Sequence, residues 1–233
     1  MNDNPMKEIS YEDFINNYES TNYLDTSDKL IKEVTNIIEK VKLSKDDALI
    51  SFSKEFDKTE FISSEEFKFN KKDFKKSYES LDNQTINNLE FLRERIIKFH
   101  SEKSMNGWKA KDSAFNEYGQ IVRPIKRVGL YAPGGTATYP SSILMTAVLA
   151  NIAGVEEVFL SFPPSNKEVT DLMLASCHIG GVTEATSIGG AQAIAAMAFG
   201  TESIKKVDKI FGPGNKYVAE AKRQVYGIVG IDS

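Results

Sequence analysis

Leu30, Ile31, Val34, Ile37, Ile38 and Val41 recur at three- and four-residue steps with charged residues between them, which is one apolar face of a helix. Asp25 to Asp28 offer N-caps ahead of it. The pattern predicts a shorter helix over Asp46 to Phe56, a third from Lys71 to Leu81, and the longest from Gln84 to Lys103. In that last helix Ile86, Leu89, Leu92, Ile96 and Phe99 are expected to face inward. Trp108 to Val122 reads as turn and strand. Past residue 120 the pattern changes. Short β-prone runs at Arg127–Tyr131, Glu157–Phe162, Thr183–Ile188 and Val207–Phe211 each end in a Gly- or Pro-containing turn. Helical patterns follow at Ser141–Ala153, Lys167–His178, Ala191–Phe199 and Asn215–Tyr226, and a fifth strand begins at Ile228. Such alternation predicts an α/β fold, a parallel sheet with helices on its faces. Right-handed crossovers gather the turns at the carboxyl edge of the sheet, where ligands of such folds bind.

Composition sharpens this division. Residues 1–120 hold 19 Lys and Arg against 24 Asp and Glu, whereas residues 121–233 hold ten against nine. Of 15 glycines, 13 lie in the second part. The chain is therefore expected to comprise a mainly helical N-terminal region, 1–120, and a Rossmann-like domain, 121–233. The net charge of −4 argues against a nucleic-acid partner. The lysine pairs at 71–72 and 75–76 alternate with acids and read as a solvated helix face. No stretch reaches the ~20 apolar residues of a membrane span. No signal-peptide pattern opens the chain, so the cytoplasm is the expected location. One cysteine makes no internal disulfide, and two histidines leave little for a metal.

The turns carry the candidate chemistry. Gly134-Gly135 and Gly189-Gly190 permit sharp turns that bring backbone N–H groups towards a ligand, and the helix N-termini behind them favour anionic groups. Tyr131 stands where the first strand ends, placed to stack on a flat ring. Gln192 and Asn215 stand at helix starts, with amides suited to ribose or amide recognition. Taken singly, each has an ordinary explanation: turns need glycine, and Gln or Asn at a helix start is commonly a cap. The spacing G-x-G-x-x-G is absent, since Gly212-Pro213-Gly214 is followed by Tyr217 at the last position. The second strand ends in Phe162-Pro163-Pro164, with no acid for a ribose. Adjacent Cys177 and His178 point to different sides of a helix and make no nucleophile–base pair. His100, at the end of the longest helix, reads as a surface or capping residue.

The second part resembles histidinol dehydrogenase. The resemblance is carried by Val128-Gly129-Leu130-Tyr131-Ala132-Pro133-Gly134-Gly135, by Gly189-Gly190-Ala191-Gln192-Ala193, and by Phe199-Gly200-Thr201-Glu202-Ser203. It continues through Val207 to Asn215, Phe211-Gly212-Pro213-Gly214-Asn215 included, and through Glu220-Ala221-Lys222-Arg223-Gln224-Val225. The resemblance implies an NAD- and zinc-dependent alcohol dehydrogenase that oxidises L-histidinol to L-histidine in two steps of histidine biosynthesis. It implies an intertwined homodimer, and it makes Tyr131, Gln192 and Asn215 the NAD contacts, the same residues the turns single out.

In the resembled family the chain runs on for about as many residues again. The zinc ligands, the substrate-binding serine and the catalytic Glu–His pair lie in that continuation, so no metal ligand or catalytic residue is assigned within residues 1–233. Ser233 stands where the family motif has Met. The expectation is an N-terminal half that is inactive by itself and associates through the apolar surface its sheet edge leaves open. The alternatives are a non-catalytic nucleotide-binding or assembly module, and a family member acting on another small alcohol.

Overall fold

The computed structural model describes residues 10–20, 28–102, 106–134 and 139–232. In chain order the elements are α1 (Tyr11–Ser20), α2 (Asp28–Phe56), β1 (Lys68–Asn70), α3 (Lys71–Ser80), α4 (Asn83–Ser101), β2 (Trp108–Lys111) and β3 (Glu117–Gln120). Then follow β4 (Arg127–Tyr131), α5 (Pro140–Ile152), β5 (Glu157–Ser161), α6 (Lys167–Gly180), β6 (Glu184–Thr186), α7 (Gly190–Phe199), β7 (Lys209–Phe211), α8 (Lys216–Val225) and β8 (Gly230–Ile231). The α/β alternation of the second part falls where the periodicity puts it. The cap residues expected at 25–27 lie outside the described residues, and α2 starts at Asp28.

The two helices expected over residues 30–56 are both present within α2 and meet at Lys45, whose φ of 49° and ψ of −122° are not helical. Lys45 Nζ donates to the Gly200 carbonyl at 3.2 Å, and Glu202 accepts from the Asp46 N–H at 3.1 Å. The bend thus stores backbone strain and is held by the loop after α7. Asn70 and Asp73 form a reciprocal capping box on α3, and Asp82 caps α4 through the Thr85 N–H. Phe99 departs from expectation: it is 63% exposed. Leu89 and Ile96 of α4 are covered by Leu144 and Val148 of α5 and Ile179 of α6, and the last turn of α4 carries Phe99 beyond them.

Six strands form one sheet in the order β1-β6-β5-β4-β7-β8. All neighbours are parallel except β1, which pairs antiparallel with β6 (Lys68 opposite Thr186). Counting the parallel strands by appearance, the order is third, second, first, fourth, fifth, as in doubly wound nucleotide-binding sheets. The chain leaves β4 on one side to form β5 and β6, then returns to form β7 on the other. The carboxyl end of β4 is the switch point.

Helices cover both faces. α5 and α6 share an apolar cluster with β4 and β5, joined by Phe74 of α3. α7 and α8 share another with Phe159 and Ile210 of the sheet, joined by Leu30, Val34, Ile37, Val41, Leu49 and Phe52 of α2. Packing therefore crosses the compositional boundary near residue 120: α2 lies on α7 and α8, α3 on α6, and α4 on α5. β2 and β3 form a separate hairpin, with Trp108 edge-on to Tyr118.

Candidate functional site

A cavity of about 830 Å³ opens at the switch point. Its sheet-side wall is Tyr131, Pro133 and Gly134 after β4, and Pro163, Pro164 and Ser165 after β5. Gly190, Ala191 and Gln192 of α7 and Asn215 and Tyr217 at the start of α8 close one end. The opposite wall comes from α2 and the residue after it, including Lys40, Phe52, Glu55, Phe56 and Asp57. All three residues singled out in the sequence, Tyr131, Gln192 and Asn215, line this cavity. Gly135 lies outside the described residues.

The turn amides are less available than the sequence suggests. The Gly190 N–H donates to the Tyr131 hydroxyl at 3.0 Å. The Tyr217 and Val218 N–H groups donate to Asn215 Oδ1 at 3.0 and 3.1 Å. The Gly212 N–H donates to Asp232 Oδ2 at 2.8 Å. These donors are spent on the fold, so an anion cradle built from them is not what the turns provide. Gly134 and Gly189 instead make room for the Pro163 ring, which a Cβ at either position would meet within 3.0 Å. Gly212 has φ of +123°, and its missing Cβ would lie 2.0 Å from the Tyr131 carbonyl oxygen. Only glycine lets the two turns on either side of the switch point touch.

Side chains of the same turns face the cavity. Tyr131 is 5% exposed and its ring belongs to the core under the cavity. Burial pushes its phenol above the ordinary range, against the opposing effect of the Gly190 hydrogen bond. Gln192 is 1% exposed, and its amide makes no hydrogen bond to the described residues. Asn215 is both cap and wall. Its Oδ1 is spent on α8, which leaves the Nδ2 donors to the cavity side.

The turn that holds Asn215 is clamped from behind. Lys222 Nζ, buried, donates to the Gly212 carbonyl at 2.6 Å and to Asp232 Oδ1 at 2.5 Å. Asp232 in turn accepts from the Gly212 N–H. Both peptide groups of Gly212 are thus fixed by one ion pair.

The model of the family described as histidinol dehydrogenase matches residues 21–233. The chain belongs to the histidinol dehydrogenase family. It is 43% identical to histidinol dehydrogenase of Staphylococcus epidermidis over 224 residues, 96% of this chain and 52% of that protein. It is 42% identical to that of Acinetobacter baylyi over 204 residues, 88% of this chain and 47% of that protein. A crystal structure of histidinol dehydrogenase from Elizabethkingia anophelis superposes with a TM-score of 0.79 at 29% identity, covering 98% of this chain and 48% of that one. The chain spans about half the length of the relatives it matches.

Around this cavity, α2 adds residues that turn chemistry alone does not reveal. Phe56, 48% exposed, stacks on Phe52 with ring centroids 5.3 Å apart and presents an aromatic face at the cavity. Asp57 follows it, and burial pushes its carboxyl from the ordinary 3.8 up to about 6. The signal that marks Asp57 in the sequence is a local conflict: an acid just past a helix C-terminus meets the negative end of the helix dipole.

Cys177 is fully buried, and burial pushes its thiol far up. His178 is on the exposed side of α6 against the Tyr78 ring, so the two do not meet as a reactive pair. Among the described residues no three His, Cys, Asp or Glu side chains stand together as a metal-binding group, and no helix is long and apolar enough to cross a membrane.

Proposed function

We propose that this chain is the cofactor-binding half of a histidinol dehydrogenase and that Tyr131, Gln192 and Asn215 contact NAD. Residues 121–233 supply the Rossmann-like part, and residues 1–120 the helical part that closes one wall. The observation that carries the reading is the Gln192 side chain, 1% exposed on the wall of the switch-point cavity, whose amide makes no hydrogen bond to the described residues. An amide that faces a cavity with its donors and acceptor unspent can bond a ligand bearing hydroxyl or carboxamide groups. When bound, NAD supplies the hydride acceptor for oxidation of the alcohol. This chain's residues orient it: Asn215 through Nδ2, Gln192 through its amide, and Tyr131 as the packed floor.

The complete enzyme on this reading oxidises L-histidinol to L-histidine, in the cytoplasm, as a homodimer. The zinc that the family resemblance implies finds no fitting donor set among the described residues, and no step of the proposal passes through it. The isolated chain is expected to bind NAD weakly and to turn over no histidinol.

Titration calorimetry with NAD tests the reading. Gln192→Ala and Asn215→Ser, the latter retaining a helix cap, are each expected to weaken NAD by about tenfold. Equal binding by both variants and the unaltered chain sinks the assigned contacts. NADH formation from histidinol by the purified chain sinks the expected inactivity.

A further inference from the structure

Doubly wound sheets that bind dinucleotides place an acid at the end of the second strand, where it receives the ribose hydroxyls. Here the second strand, β5, ends in Ser161-Phe162-Pro163-Pro164-Ser165, and none of these is acidic. Pro163, Pro164 and Ser165 nevertheless wall the cavity, so the position is occupied but lacks the acceptor.

A carboxylate reaches the same cavity from elsewhere in the chain. Asp57 lies just past the end of α2 and lines the cavity with those residues. Its Oδ2 is buried and has no hydrogen-bond partner. Among the described residues no cation pairs with it: Lys40 lies over the Phe52 ring, and Lys58 Nζ donates to the Glu55 carbonyl at 2.7 Å. A buried carboxylate oxygen without a donor is among the most costly groups a fold can retain. Among the described residues its hydrogen bonds are backbone ones: its N–H donates to the Ser53 carbonyl and its carbonyl accepts from the Thr59 hydroxyl. The two O–H groups of a vicinal diol can both donate to a bare carboxylate in charge-assisted hydrogen bonds.

We propose that Asp57 is the ribose acceptor of this site, receiving the adenosine-ribose hydroxyls in place of the acid missing from β5. The assignment rests on the reading that the cavity takes NAD. It adds a specificity: a carboxylate at a ribose 2′-hydroxyl repels a 2′-phosphate, so Asp57 selects NAD over NADP.

The experiment is calorimetry of NAD and NADP with the unaltered chain and with Asp57→Asn, which keeps the shape and removes the charge. Asp57→Ala serves as a second variant, and thermal melting verifies that both are folded. The unaltered chain is expected to bind NAD and to prefer it to NADP. Asp57→Asn and Asp57→Ala are expected to lose about tenfold in NAD affinity and to narrow the NAD-to-NADP preference by a similar factor. If NAD binds the unaltered chain and the variants bind it equally well, or lose NAD and NADP in equal measure, the role of Asp57 is overturned while the cavity assignment stands. If the unaltered chain binds no NAD, both fall.

Discussion

The backbone N–H of Gly190 donates to the hydroxyl of Tyr131 at 3.0 Å, tying the first residue of α7 to the last residue of β4. The hydrogen bond joins two of the turns that form the cavity, one on each side of Pro163. Tyr131→Phe keeps the ring in the core and removes the acceptor. It is expected to cost about 1 kcal/mol in chemical denaturation, because the Gly190 N–H is left without its partner.

Asp57 carries a pH signature of defined sign. Its carboxyl is raised from 3.8 to about 6, so folding disfavours the ionised form. Its contribution to stability is full below the unfolded value, and is lost as pH rises through about 6. Asp57→Asn is therefore expected to melt higher than the unaltered chain near neutral pH, by ~1 kcal/mol after allowance for solvent screening. The gain should vanish near about pH 4. Cofactor affinity is expected to move the opposite way, falling as pH drops through about 6 and Asp57 takes up a proton. The other charged or titratable groups around the cavity are Glu33, Lys40 and Glu55 of α2, Tyr131 of β4 and Tyr217 of α8. Subtracting the Asp57→Asn profile removes what they contribute.

Most of the sheet was readable from residue order, because each β-prone run between Arg127 and Phe211 is bounded by its own turn residues and leads into a helix of period 3.6. Tyr131, Gln192 and Asn215 were readable for the same reason: a parallel sheet brings its strand-end turns together whatever their distance in sequence. β1 was not readable. Lys68-Phe69-Asn70 is three residues of mixed polarity, and only its pairing with β6 makes it a strand. Phe56 was hidden for a related reason, since nothing local tells α2 which face of the sheet it will cover, and at Asp57 the only local mark is an acid beyond a helix end. The partners of the backbone donors are not legible in the sequence. Glycine at 189 and 190 signals a tight turn equally whether the freed N–H meets a ligand or, as here, a tyrosine.

The Lys222–Asp232 pair is buried on the lysine side, and removing one partner strands the other. Lys222→Met is expected to cost about 3 kcal/mol and to raise amide exchange across Gly212 to Asn215. Adding Asp232→Asn is expected to recover part of that loss, which a double-mutant cycle reads directly.

Cys177 supplies a built-in reporter. Fully buried with a thiol pushed far up, it is expected to resist alkylation in the native state and to react only as α6 opens. Its labelling rate in rising denaturant should follow global unfolding rather than reagent access.

The antiparallel strand β1 has a consequence for synthesis. Lys68 must wait for Thr186 before it can pair, and at ordinary translation rates that interval is on the order of ten seconds. During it, Leu30, Val34, Ile37 and Phe52 also lack the α7 and α8 surface that buries them in the finished protein. The α2 face is thus the part of the nascent N-terminal segment left uncovered longest, after α3 and α4 already have α6 and α5 to pack on. A ribosome pause after α8, rather than before it, is where that face finds its cover.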